Sequence, residues 1–139
     1  MIRWVCLFLV FSCFGATCHA HDLSVANLKI EEQGSHRYLL RYEVPPGQQD
    51  FYPLPKLPSS CSWQDLPGHL EGVLNLRFIS GDRPLSSGDV ITLDWERSGA
   101  MVSMVWNNGT SLRRFFPVTR QGILVPMEEL MAGSGTALG

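Results

Sequence analysis

The chain is short of cysteine where cysteine could build structure. Of its four cysteines, Cys6, Cys13 and Cys18 precede residue 19, and only Cys61 lies beyond. An exported domain made from the remainder has no internal disulfide, and its stability has to come from an apolar core. An excess of charge is missing as well: 11 Lys and Arg against 13 Asp and Glu leave a formal net charge of −2. That removes the electrostatic argument for nucleic acid or an anionic membrane surface as a partner. No apolar run reaches the ~20 residues of a transmembrane helix. No stretch of helical length keeps a helical period in the chain after residue 20, and there is no internal repeat. After residue 20, which splits the His-x-His pair of His19 and His21, a Gly-x-Ser-x-Gly turn and a metal-ligand spacing of Cys or His are also absent. Serine-nucleophile chemistry and a dedicated metal site are thus left without a motif.

What is present starts at the N-terminus. Arg3 supplies a positive charge, Val5 to Phe14 is almost continuously apolar, and small or polar residues follow through Ala20. This is the pattern of a secretory signal peptide over 1–20, with Ala20 suited to the last position before the cut. Cleavage there discards His19 and makes His21 the first mature residue. The remaining length suits one domain, expected over 21–127, with a flexible C-terminal tail over 128–139, at whose start "MEEL" can form one helical turn.

Within that domain the hydrophobic period is two. In "RYLLRYEV", Tyr38, Leu40, Tyr42 and Val44 point one way, and Arg37, Arg41 and Glu43 the other. "NLKIEE", "VLNLRFI" and "VITLDWE" alternate in the same manner and assign Leu28, Ile30, Leu74, Leu76, Phe78, Ile91, Leu93 and Trp95 to the core. "MVSMVW" and "LRRFF" are less clean, because Met101, Val105 and Phe115 fall on the wet side. Those strands are expected to be covered on both faces or to carry a contact surface. Turn residues at "EEQGSH", "ERSGA" and "NNG" predict three hairpins. The stretch from Pro45 to Gly72 contains six prolines and reads as a long connection between sheets, with a short edge strand near Phe51 and Tyr52. "GILVP" is the last strand. The expected fold is all-β: an antiparallel β-sandwich of about seven short strands, immunoglobulin-like in size.

The run "HDLSVANLKIEEQGSHRYLLRYEVP" after a signal ending in "HA" resembles the start of the soluble extracytoplasmic region of HupE/UreJ-type membrane proteins. Tyr38, Tyr42, Val44 and Pro45 stand in the register of that family's second strand. "LPSSC", "LEGVLNLRF", "LSSGDVITLDW" and "NNGTSLRRFFP" are similar to its later pieces, and the resemblance spans about residues 19 to 126. It implies an extracytoplasmic β-sandwich. The family's nickel or cobalt chemistry belongs to His- and acid-bearing membrane helices with no counterpart before Gly139, so metal transport does not carry over. The chain reads as a stand-alone relative or a shortened membrane protein.

The chemistry-bearing residues are few. A mature N-terminal His21 offers its α-amine and its imidazole to one copper or nickel ion, with His36 or His69 as the second ligand and Asp22 alongside. Without ligand spacing, His21 is instead a solvated terminal residue. Asp82, Asp89, Asp94 and Glu96 share one region, but alternation puts Asp94 and Glu96 on the wet face. Cys61 as a nucleophile needs His69 close by, and a packed, inert thiol is the plainer reading. Asn108-Gly109-Thr110 is both a glycosylation sequon and an ordinary hairpin turn. Arg113, Arg114 and Arg120 with Phe115 and Phe116 form one basic-aromatic patch, read as a solvated edge strand protected by its charges. The expectation is therefore an exported, non-enzymatic module, periplasmic or extracellular, that contacts a membrane protein of the cell envelope. It requires no cofactor, nucleic acid or small-molecule substrate. The alternative is a periplasmic metal-binding protein that uses His21.

Overall fold

A computed structural model describes residues 24–135. The expected signal peptide 1–20, its cut after Ala20, and both His21 and Asp22 lie outside those residues. The elements are β1 (Val25–Gly34), β2 (Arg37–Val44), β3 (Ser62–Asp65), β4 (Gly72–Ile79), β5 (Val90–Leu93), β6 (Gly99–Val105), β7 (Ser111–Thr119), β8 (Gly122–Pro126) and one helix, α1 (Met127–Gly135). The eight strands form one curled sheet in the order β3-β4-β2-β1-β6-β7-β8-β5.

The all-β expectation holds, and the alternation fixes the inner face. Tyr38, Leu40, Tyr42 and Val44 of β2, Leu74, Leu76 and Phe78 of β4, and Leu28 and Ile30 of β1 are all buried. Trp95 follows β5 but keeps its phase, and is 2% exposed. Although four strands separate β2 from β5 in the sheet order, the rings of Tyr42 and Trp95 lie 4.7 Å apart. The curl therefore brings distant strands onto one shared core.

Several expectations are corrected. The ladders are not all antiparallel: β1 runs parallel to β6 from Val25↔Gly99 to Glu31↔Val105. Side-chain alternation is the same in both kinds of ladder, so period alone does not distinguish them. "ERSGA" is not a hairpin. β5 pairs with β8 at the sheet edge, whereas β6 pairs with β1 and β7 in the interior, so this segment crosses between them. The edge strand within the long connection is Ser62–Asp65. Phe51 instead ends a 3-10 turn and Tyr52 is buried in the core. That connection also touches β5 through a bridge between Lys56 and Thr92, so it spans both sheet edges before entering β3.

The one helical turn expected at the start of the 128–139 tail is part of a longer helix, α1. Met127 and Leu130 are fully buried, and the Leu130 carbonyl accepts a bond from Trp106 Nε1 at 3.3 Å. Two apolar residues three apart anchor one helical face, too short a repeat to register as a period. The helix lies against β7, where Arg114 Nε donates to the Glu129 carbonyl at 2.9 Å. β7 is thus an interior strand and not the solvated edge expected from its arginines.

One core group is unsatisfied. Tyr42 is 3% exposed, and its hydroxyl has no hydrogen-bond partner among the described residues. Burial pushes its pKa up to about 12. A buried hydroxyl without a partner costs desolvation free energy that a phenyl ring does not. Tyr42→Phe is expected to raise stability by about 1 kcal/mol. Thermal melts of the two proteins check this, and a variant that melts lower would show that the hydroxyl has a bonding partner in solution.

Candidate functional site

The outward positions of the central strands assemble into rows. Register places Val73, Glu43, Asn27, Met101 and Phe115 in one row across β4, β2, β1, β6 and β7. For Asn27 and Glu43 this continues the β1–β2 register by one step. The next row holds Asn75, Arg41, Lys29, Ser103 and Arg113. Each row spans four interstrand steps, or ~19 Å at ~4.8 Å per step.

The first row and its surroundings mix exposed polar residues, Asn27 and Glu43, with apolar side chains open to solvent. Val73 is 62% exposed, Phe115 46% and Val25 44%. The Phe115 ring lies over Gly99, where an added Cβ would stand 2.5 Å from its Cζ and 2.6 Å from the Phe116 carbonyl oxygen. Gly99 thus allows the ring to lie flat along the sheet. The second row carries three cations and no carboxylate. Lys29 and Arg41 are direct cross-strand partners, an arrangement that costs stability because like charges oppose each other. Lys29 reaches Glu31 at 3.7 Å. Arg41 Nε donates to the neutral Asn75 Oδ1 at 2.8 Å, which leaves its terminal nitrogens open. Arg113 has no ion-pair partner among the described residues. An open concavity of about 510 Å³ lies over the β4, β2, β1 and β6 part of these rows, lined by Val25, Lys29, Arg41, Val73, Met101 and Ser103 among others, with Arg113 and Phe115 beyond its edge on β7.

Met101 and Phe115, read from the sequence as misplaced on the wet side, are therefore part of one surface. The basic-aromatic patch is not. Alternation sends Phe116 into the core, Arg114 onto α1 and Arg120 into the β7–β8 turn. Only Arg113 and Phe115 share the outer face.

The candidate metal ligands separate. His36 follows β1, whereas Ser24 precedes it. Ten strand residues at ~3.3 Å each put roughly 30 Å between them. His36 lies at the far end of β1 from Ser24, and its Nδ1 donates to the Gly81 carbonyl at 2.8 Å. His69 precedes Gly72, which pairs with Val44 beside the start of β1, so His69 lies at the Ser24 end. No group of three or more His, Cys, Asp or Glu among the described residues is placed to hold a metal.

Cys61 and His69 are not brought together. Ser62 pairs with Ile79 at one end of β4, and His69 lies beyond Gly72 at the other, ~24 Å away along the strand. Cys61 packs partly against the core, and burial pushes its thiol pKa up. The acids also divide. Asp94 is exposed and pairs with Lys56 at 2.8 Å, and Glu96 is exposed, as alternation requires. Asp89 is 6% exposed and anchors a loop through Arg83 and Ser86. Asn108 Oδ1 accepts from both the backbone and the hydroxyl of Thr110, which makes the sequon a side-chain-stabilised turn.

No known family model, curated protein or solved structure matches the chain.

Proposed function

We propose that the chain is an exported, non-enzymatic module that acts by contact with a membrane protein of the cell envelope. In this reading it resembles the soluble extracytoplasmic region of HupE/UreJ-type proteins, and the outer face of β4, β2, β1, β6 and β7 makes the contact. The observation that carries it is the gathering of Val25, Val73, Met101 and Phe115 on one side of a sheet whose other side already holds the core. Solvent-exposed apolar side chains clustered on one surface mark interaction sites. The same reading takes the curled sheet as the two layers of an immunoglobulin-sized sandwich. The Tyr42–Trp95 contact between distant strands supports this.

The test is site-specific crosslinking in the exporting cell. A photoreactive side chain at Val73 or Phe115 is expected to capture a membrane protein. The same group at exposed Asp82, in the loop before β5, is expected to capture none. Recovery of no membrane protein from either face position would overturn the contact role.

A further inference from the structure

The basic row narrows the partner's chemistry. We propose that the row of Arg41, Lys29 and Arg113 binds an extended acidic peptide segment of the partner, laid across the strands from the outer-face concavity, which Arg41 and Lys29 line, to Arg113 on β7. The inference rests on the contact reading above.

Charge complementarity carries it. Arg41 and Lys29 face each other directly at a cost to the fold, and Lys29 alone reaches a carboxylate. The Arg41 guanidinium is held through Nε by Asn75, which orients its remaining fork of N–H donors without using them. Ser103 adds a hydroxyl beside Lys29, and Arg113 follows on the next strand. Three cations and two neutral hydrogen-bonding side chains in ~19 Å match an extended segment of about six residues, whose acidic side chains meet the row. Val73 and Met101 in the adjoining row offer apolar contacts to the alternate side chains of such a segment. A flat anionic bilayer fits less well. Glu43 and Glu31 flank the basic row on either side, so a bilayer would press headgroups onto both, whereas an extended segment confined to the row between them keeps its acids on Arg41, Lys29 and Arg113.

The probe is a synthetic eight-residue peptide alternating Glu with Leu, labelled with a fluorophore and titrated with the mature chain. Its controls are an isosteric Gln-Leu peptide and phosphatidylglycerol vesicles. The Glu peptide is expected to bind more tightly than the Gln peptide and to lose affinity as salt rises. Arg41→Glu combined with Lys29→Glu is expected to weaken it on the order of tenfold or more, from two surface charge reversals. Arg41→Gln is expected to weaken it less while melting no lower than the parent, so lost binding is not lost folding. Equal binding of the Glu and Gln peptides, or unchanged binding by the doubly reversed variant, would overturn the proposal. So would vesicle binding that depends on Arg41 and Lys29 when peptide binding does not. If crosslinking captures a membrane protein whether or not Arg41 and Lys29 are reversed, this inference fails and the contact role stands. If the Val73 and Phe115 positions capture none, the contact role itself fails.

Discussion

Trp95→Ala is expected to lower stability by about 3–5 kcal/mol, the range for deleting a large buried aromatic. Trp95 is 2% exposed and packs at tilted angles between Tyr42 at 4.7 Å and Tyr52 at 5.2 Å, so removal empties the centre of an aromatic cluster. Its Nε1 also donates to the Pro53 carbonyl at 2.9 Å, which ties the long connection to the end of β5. Arg97 reinforces the same corner, with its guanidinium 4.7 Å from the Tyr52 ring and its Nε donating to the Tyr52 hydroxyl. With no disulfide in the described fold, that loss takes a large share of a total of roughly 5–15 kcal/mol. The melting temperature should fall by about 10–25 °C. Trp95→Phe keeps a ring but loses the bond to Pro53, and should fall between parent and alanine variant. An alanine variant that melts with the parent would mean that the curl does not bring β2 and the end of β5 together in solution.

Trp95 also shows what the sequence makes legible. Its phase with Ile91 and Leu93 is local, and burial follows that phase even after the ladder ends at Leu93. The same holds for Tyr38, Leu40 and Tyr42, because a period of two is written within a few residues. Pairing between remote strands is not written there. Nothing in "VANLKIE" or "GAMVSMV" distinguishes a parallel partner from an antiparallel one, so the β1–β6 ladder is invisible to alternation. The candidate site fails to appear for the same reason. Alternation assigns Lys29 and Arg41 to the wet face as separate solvating charges, and Arg113 to a basic patch. Only the registers of β1 with β2, β1 with β6, and β6 with β7 place all three in one row. The strong local signal at "RRFF" points to a patch that alternation then divides between core, helix and outer face. Only the first turn of α1 is legible, because its inward face has just Met127 and Leu130 to announce it.

Asp89→Ala is expected to cost about 2–3 kcal/mol at neutral pH, from the loss of charge-assisted hydrogen bonds to a buried carboxylate. The carboxylate accepts from Arg83 at 2.9 and 3.0 Å and from the Ser86 backbone N–H at 2.8 Å. The Asp89 backbone carbonyl also receives the Met127 N–H at 2.9 Å, so the loop it organises is fastened to the start of α1. The alanine variant strands the Ser86 N–H, whereas half-exposed Arg83 recovers water, which keeps the cost below that of a fully buried pair. The hydrogen bonds from Arg83 hold the Asp89 pKa below its ordinary value, and burial only partly opposes them. A carboxylate depressed in the folded state contributes its stability in full above its unfolded value of about 3.9 and loses it as pH falls through the lower folded value. The melting temperatures of the parent and Asp89→Ala should therefore differ most at about pH 5–7 and converge as pH falls below about 4. Asp89→Asn keeps one acceptor for Ser86 but no charge for Arg83, so it should show a smaller gap and the same convergence. Melts across this range check the claim, and a gap that stays constant down to about pH 2.5 would mean that the carboxylate's charge contributes nothing to the fold.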